Sequence, residues 1–508
     1  MKLKSFSPNT LENIGEVERT EVQDVFEIVK FSKLAQKGWF NLKIKERISF
    51  LKKVRDLLFY KKEDISKLIS LENGKPVFEV YATEIIPTLT LFDYYNSKSQ
   101  AFLKPHYERI KLPVMIHKRN WIEYFPYGSV GIISPWNYPL LLPMGQIIPA
   151  LIGGNAVIFK PSEWTPLTGK FIFDLFNEVN LPEGVFNVIY GDAEIGEALV
   201  NSEIDKLFFT GSTEVGKIIA KQCAEKLLPV SCELGGKDPA IVLEDADLNQ
   251  AVNGIMWGAL MNAGQTCVSI ERIYVHEKVY EKFIEMTIEK CKNLKGYEED
   301  KFYDYSNIKL EKQLNKIKEH INDALSKGAK ILYGGLHDDN KVKPAVIVDV
   351  NHSMLVMKEE TFGPMIPIQK FNSLEEAVSL ANDCSYGLSA SIWTSNIKLG
   401  KKIARQINAG SVLINDSISY FGAAEAVVGG IKMSGTGRVH GKSGLMEMVY
   451  EKYYSSDSFL WQKKIWWFNY GKDETEVIKH ATEFLFSKNI FNRLKSGLKV
   501  LPKLFQRN

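Results

Sequence analysis

The sequence is short of the features that would take it out of the class of ordinary folded proteins. Cysteine is scarce: five residues, Cys223, Cys232, Cys267, Cys291 and Cys384, scattered and odd in number. That excludes a disulfide framework and leaves at least one thiol free. No CxxC pair and no Cys/His cluster with ligand spacing occurs, so no metal site is expected. Excess charge is also missing. The 64 basic and 61 acidic side chains leave a net +3, too little for electrostatic binding of nucleic acid by the whole chain. The opening MKLKSFSPNT lacks the apolar core of a signal peptide. The most apolar stretch, Tyr138 to Gly154, is interrupted by Pro139, Pro143, Gln146 and Pro149 and is too short to span a bilayer. A reducing, cytoplasmic setting is therefore expected.

What is present reads as globular α/β protein. At 508 residues and 45% hydrophobic composition the chain exceeds one core, so two or more domains are expected. The first 110 residues read as helices, with Ile48, Leu51, Val54, Leu57 and Leu58 at helical spacing. From Lys111 to Tyr127 β-favouring residues predict a hairpin or extended arm. Then short apolar runs at Val130–Ile133, Ala156–Phe159, Phe186–Ile189, Lys206–Phe209 and Pro229–Cys232 alternate with helical stretches at Leu140–Leu151, Thr165–Asn177, Ala193–Val200 and Thr213–Glu225. That alternation predicts a Rossmann-like parallel sheet covered on both faces, with ligand at the strands' C-terminal ends. A second α/β region runs from about Pro239 to Val428. Its expected helices are Leu248–Asn262, Val279–Cys291 and Leu374–Asn382; its expected strands are Arg272–Val275, Ala345–Val348, Ile366–Lys370 and Ser391–Thr394. A short extended run follows at Tyr450–Ser455.

Several motifs lie where such sheets place ligands, and each also has an ordinary structural explanation. Gly211-Ser-Thr-Glu-Val-Gly216 opens a helix after a strand, where backbone N–H groups favour an anion; an ordinary strand–helix turn explains it equally. Lys160-Pro-Ser-Glu163 offers a carboxylate and an amine to ribose hydroxyls, or else a helix-start carboxylate with Ser162 near the cap. Glu233-Leu-Gly-Gly-Lys237 puts a carboxylate at a strand end beside glycines that permit close backbone approach, and a solvated strand end is the plainer alternative. Cys267, in Gly264-Gln-Thr-Cys267, is a candidate nucleophile needing activation, or an inert core thiol. In Ser134-Pro-Trp-Asn-Tyr-Pro139, Asn137 offers a neutral donor to an oxyanion and Trp136 a face for a cofactor; a proline-framed turn with a core tryptophan is the alternative.

Taken together, PWNYP, FKPSE, FTGSTEVG, ELGGK, NAGQTC, EETFGP and GGIKMSGTGR stand in the order and spacing of aldehyde dehydrogenases, and the chain resembles that superfamily from about residue 20 to 455. The resemblance implies an NAD-binding domain (1–104 and 128–235), a catalytic domain (236–449) and a small β oligomerisation element (105–127 and 450–455), followed by a C-terminal extension (456–508). By the same resemblance Cys267 is the nucleophile and Glu233 activates the water that releases the acid. Asn137 and the Cys267 backbone N–H hold the oxyanion. Lys160 and Glu163 bind the adenosine ribose, and Ser212 and Trp136 approach the pyrophosphate. Glu360 holds the nicotinamide ribose with Phe362 beside it, and Ser162, Gly211 and Leu234 complete the cofactor set. Glu163 implies NAD rather than NADP, because a carboxylate would face the extra phosphate. Glu233 implies hydrolysis to a free acid.

One departure concerns the substrate. The family usually reads PFGG, whereas here Ala426-Val-Val-Gly-Gly430 puts Val428 where an aromatic commonly lines the aldehyde pocket. With Tyr138, Thr266 and Val268 as the other expected pocket residues and no cationic clamp among them, an apolar aldehyde is expected. Family members are dimers or tetramers, so a homo-oligomer is expected as well. Two other classes stay open: a CoA-acylating or ester-hydrolysing thiol enzyme, and a catalytically silent binding or scaffold protein on the same fold.

The end of the chain differs in kind. From Phe484 to Asn508 there are six Lys/Arg and no acid. Phe491, Leu494, Leu498, Leu501 and Phe505 recur at helical spacing, and Pro502 is expected to bend or stop the helix. With Trp461, Trp466 and Trp467 upstream, the tail resembles a basic interfacial helix suited to a lipid-derived substrate; packing on protein is the alternative. This long, Trp-Trp-bearing ending is similar to that of a bacterial subgroup including carotenoid-dialdehyde dehydrogenases.

Overall fold

The computed structural model describes residues 2–112, 115, 118–298, 301–336, 341–457, 466–468 and 470–504, with only the backbone of 501–504. The chain divides into two compact units, Met1–Phe102 with Phe125–Tyr450, and Leu103–Tyr124 with Glu451–Asn508.

In the first unit a six-stranded sheet runs in the order Gly435–Thr436, Val230–Glu233, Lys206–Thr210, Ser129–Ile133, Ala156–Lys160, Phe186–Val188. Every pair is parallel except the first, where Gly435 and Thr436 lie antiparallel to Glu233 and Cys232. The earliest of these strands in the chain lies mid-sheet, so chain direction across the sheet reverses between Ser129–Ile133 and Lys206–Thr210. Such a switch point opens a crevice at the strands' C-terminal ends. Leu141–Gly153, buried along its whole length, follows the central strand. Elsewhere Ile158, Leu207, Phe209 and Cys232 pack with Val25, Val29, Ile195, Leu199 and Ile219 of helices Val22–Asn41, Ala193–Asn201 and Thr213–Glu225.

A seven-stranded sheet belongs to the same unit, in the order Lys330–Leu336, Val342–Val348, Met365–Phe371, Ile270–His276, Asp238–Val242, Ser389–Trp393, Ser411–Ile414; only the first pair is antiparallel. Alternate residues go to opposite faces. Ala240, Val242, Ile273, Val275, Val346 and Ile366 join one core, whereas Ile241, Tyr274, Ala345, Ile347 and Met365 join the other.

The second unit carries a three-stranded sheet in the order Val449–Asp457, Lys118–Pro126, His106–Tyr107. Trp121 stacks on Tyr454 at 5.0 Å, and the Tyr453 hydroxyl donates to Asn120 Oδ1 at 2.7 Å. Two helices follow, Lys472–Phe486 and Ile490–Leu504.

The structure corrects three expectations. The chain does not begin with helix: Lys2–Phe6 and Asn13–Glu18 form an antiparallel hairpin, and a helix starts only at Val22. The two strands bury just one apolar residue, Val17, so they carry no period-two signal; a Ser5 Oγ–Glu72 hydrogen bond of 2.8 Å anchors them instead. Asp238–Val242 is a strand near the middle of the second sheet. It reads poorly because it begins Asp-Pro, and its register with Ile270–His276 shifts at that proline. The last helix continues through Pro502 to Leu504, since a proline in a final turn removes a single backbone bond. Trp461 and Phe505 lie outside the described residues. Among those described, no helix is long and apolar enough to cross a membrane. All five cysteines are free.

Candidate active site

The central strand of the first sheet ends in Ser134-Pro-Trp-Asn137, and Asn137 is held from several sides. Its backbone carbonyl accepts from Lys75 Nζ at 2.8 Å and Asn262 Nδ2 at 3.0 Å. Its side-chain Nδ2 donates to the carbonyl of Gln265 at 3.1 Å, two residues before Cys267. A primary amide has two N–H donors, so one remains. Lys75 is fully buried, pairs with Glu84 at 2.9 Å and lies 3.8 Å over the Tyr138 ring. The other Glu84 oxygen accepts the N–H groups of Leu140 and Leu141 at the start of the buried helix. Removing one partner of such a pair costs about 3–5 kcal/mol. Nothing in the sequence singled out Lys75 or Glu84, whose link to Asn137 exists only in the folded chain.

The loop bearing Cys267 begins in strained backbone. Asn262 and Ala263 sit at φ +53° and +55°, followed by Gly264 at +74°. A side chain at 264 would run into the carbonyl of Gly363, which ties this loop to the EETFGP segment. Left-handed conformations of non-glycine residues cost about 1–3 kcal/mol. Here they are offset by hydrogen bonds from Asn262 N to Glu79 and from Asn262 Nδ2 to the carbonyls of Asn137 and Gln265. Thr266 Oγ1 and the Tyr138 hydroxyl lie 2.8 Å apart. Cys267, half-buried, packs with Phe421 against Tyr138, Leu142, Met261, Val268, Leu388 and Ile418. Burial pushes its thiol pKa up, and the carboxylates of Glu360, Asp238 and Glu233 add to the rise.

Glu233 closes the strand Val230–Glu233. Its side chain and that of Cys267 wall the same pocket, with Leu142, Gln146, Thr210, Phe421, Val439 and His440 among the others. Its Oε1 is buried with no partner among the described residues. Burial raises this carboxyl well above the usual range; Arg438 opposes the rise and Glu447 adds to it. A Cβ at Gly236 would collide with the carbonyl oxygen of Cys267, so only glycine lets ELGGK lie against the cysteine loop.

Glu360 Oε1 accepts from Gly236 N at 3.2 Å, and burial lifts its pKa to about 7. The segment is set by Glu271, which accepts from Thr361 N and Phe362 N at 2.6 and 2.7 Å and pairs with fully buried Lys237 at 2.6 Å. Phe362, at φ +56°, meets the Trp136 ring edge-on at 6.0 Å. Glu271 and Lys237 were not among the expected site residues. Lys237 stands in the ELGGK motif itself, which is the one signal that pointed to it.

The remaining expected cofactor residues stand at strand ends of the first sheet, and of these only Leu234 walls the Cys267 pocket. Lys160 ends the strand Ala156–Lys160 and Glu163 follows it, the two side chains 3.9 Å apart; Lys160 is buried and Glu163 half-exposed. The hydroxyl of Ser162 accepts from Trp164 N, and that of Ser212 caps the helix Thr213–Glu225 by accepting from Val215 N. Gly211 N donates to the Glu233 carbonyl, and Leu234, which does wall the pocket, donates its N–H to the Ser434 carbonyl. Val428 is not in the pocket wall: it is buried and bridges to Val439, which is. The phenyl ring in that wall is Phe421, which no sequence motif marks. No group of three or more acidic, His or Cys side chains among the described residues could hold a metal ion.

A thiol and a carboxyl whose Oε1 has no partner among the described residues thus share one pocket, and an amide with a free donor is bonded to the loop that carries the thiol. Such a set can attack a carbonyl, hold the resulting oxyanion and hydrolyse an acyl group. The model of the aldehyde dehydrogenase family matches residues 1–454. The chain belongs to the aldehyde dehydrogenase family. A 4,4'-diapolycopene aldehyde oxidase of Methylomonas sp is 36% identical over 452 residues, covering 89% of this chain and 85% of that protein. A probable NADP(+) succinate-semialdehyde dehydrogenase of Sinorhizobium fredii is 35% identical, covering 88% and 91%. The NAD+ complex of an aldehyde dehydrogenase from Bacillus cereus superposes with a TM-score of 0.86 at 34% identity, covering 90% of this chain and 94% of that one. The family match stops at residue 454, so the basic aromatic tail of this aldehyde dehydrogenase lies beyond it.

Proposed function

We propose that this family member oxidises an apolar aldehyde to the carboxylic acid with NAD, through a thioester on Cys267. The observation that carries this reading is the shared pocket of Cys267 and Glu233, with Asn137 bonded to the same loop. Sulfur attack on the aldehyde carbon makes it tetrahedral; the free Asn137 N–H and the Cys267 backbone N–H stabilise the oxyanion. Bound nicotinamide dinucleotide supplies the hydride acceptor. Loss of hydride from carbon leaves the acyl group on sulfur, and Glu233 takes a proton from the water that displaces it.

The crevice residues fit that cofactor. Glu163 and Lys160 stand at a strand end beside the switch point, suited to ribose hydroxyls; Glu360 is held by Gly236 N, and Phe362 is fixed by Glu271 next to Trp136. The half-exposed carboxylate of Glu163 favours NAD over NADP, although one relative's name specifies NADP(+). The buried, unpartnered Glu233 carboxyl favours hydrolysis over transfer to CoA. Tyr138, Leu142, Met261, Val268 and Phe421, packed around Cys267, favour an apolar substrate. An aldehyde panel followed by NADH absorbance tests this. Hexanal and longer aldehydes should give a higher kcat/KM than succinate semialdehyde, NAD should outperform NADP, and CoA should have no effect. A preference for succinate semialdehyde, or acceleration by CoA, would contradict the reading.

Val449–Asp457, an almost wholly exposed edge strand, is the surface through which we read a homodimer or homotetramer. The tail we assign to peripheral contact with an anionic lipid surface. Phe486, Phe491, Leu494 and Leu498 are 61–77% exposed beside Lys488, Arg493 and Lys495, in a segment without acids. The full chain should sediment with phosphatidylserine vesicles at low salt, and the triple variant Phe491→Ser, Leu494→Ser, Leu498→Ser should stay in solution. Equal sedimentation of the two would remove this contact.

A further inference from the structure

Glu233 Oε1 is not the only unsatisfied atom in the Cys267 pocket. Gln146 Oε1 and His440 Nδ1 are also buried without a partner among the described residues, and both side chains wall that pocket. Each residue is 2% exposed. The Gln146 amide nitrogen already donates to Thr210 Oγ1 at 3.0 Å, which leaves its oxygen as the unused end. His440 is held at φ +59° with its ring edge-on to Phe421 at 5.3 Å. A Cβ on residue 145 would come within 3.0 Å of His440 Nε2, so Gly145 leaves the space the imidazole fills. Buried polar atoms without partners are rare enough that three around one cavity require an explanation. The cavity leaves about 20 Å³ in which the centre of a water molecule fits, close to the room one water needs.

We propose that Gln146 and His440 are positioning residues that hold the water molecule Glu233 deprotonates. Two acceptors and one ring nitrogen match one water: it donates to Glu233 Oε1 and Gln146 Oε1 and accepts from His440 Nδ1–H. Its second lone pair is left for the acyl carbon. Burial holds His440 neutral, with its pKa near 4, so the ring can present one N–H at Nδ1. In the step itself a water proton passes to Glu233 and the water oxygen bonds to the thioester carbon. The carbon–sulfur bond then breaks, its electron pair staying on the Cys267 sulfur, and the carboxylic acid leaves. The inference rests on the proposed thioester pathway.

The test uses 4-nitrophenyl acetate without cofactor, which acylates a thiol in a burst of nitrophenolate and then turns over by hydrolysis. Gln146→Met and His440→Phe should keep the burst and lower the steady rate about 10- to 100-fold, the scale of a misplaced reactant. His440→Asn, which can return a donor near the Nδ1 position, should recover much of the loss. Hydroxylamine, which attacks without a held water, should restore turnover in both deficient variants. Steady rates equal to wild type in both variants would overturn the proposal, as would losing burst and steady rate in parallel in both. A wild-type protein without a burst, or Glu233→Gln hydrolysing at the wild-type rate, would instead contradict the thioester pathway, and this inference with it.

Discussion

Cys267→Ala is expected to abolish NADH formation from every aldehyde the protein oxidises, lowering kcat by roughly 10⁴-fold or more, the order seen when the nucleophile of a concerted unit is removed. Nicotinamide cofactor binding, followed by tryptophan fluorescence, should survive, because the residues assigned to the cofactor stand on other loops. The buried thiols of Cys223, Cys232 and Cys291 give the control. Burial raises all three, and none walls the pocket. Their alanine variants should keep kcat within about 2-fold, since an inert buried cysteine behaves as a small apolar residue. A Cys267→Ala enzyme with a tenth of wild-type activity would be incompatible with covalent catalysis at that sulfur.

Glu233→Gln should separate the two halves of the reaction. Hydride transfer does not need the carboxylate, so about one NADH per site should form rapidly; turnover should then fall about 10²- to 10⁴-fold, the range assigned to a general base. The pH dependence has a definite sign. The base works only when deprotonated, and burial has raised its pKa. The steady rate of wild-type protein should therefore climb with pH on a limb displaced upward from an ordinary glutamate, and the Gln variant should lose that limb. A Gln variant that turns over normally, or that never releases the first NADH, would refute the assignment.

Most of the first sheet was legible in the sequence, because strands buried on both faces read as short continuous apolar runs separated by amphipathic helices. Asp238–Val242 was not, since its Asp-Pro start hides a strand that only neighbours on both sides stabilise. The site divides in the same way. Cys267, Glu233 and Asn137 stand in motifs of glycine and proline that mark themselves. The groups that orient them do not: Lys75 reaches Asn137 across 62 positions, and Glu271 reaches the 361–362 backbone across about 90. Such pairings arise from tertiary packing, and no local pattern encodes them. Val428 shows the reverse limit, for a residue singled out in a sequence motif is absent from the pocket wall, which its bridge partner Val439 joins. In sequence Gln146 is only a break in an apolar stretch, and His440 gives no signal at all.

The covalent bond between substrate and sulfur can be weighed directly. Glu233→Gln protein mixed with NAD and an apolar aldehyde, quenched in acid within the first turnover and digested, should carry the mass of the corresponding acyl group on the peptide containing Cys267. An unmodified Cys267 peptide from protein that has already released its equivalent of NADH, or acyl mass found on a different cysteine, would contradict catalysis through this residue.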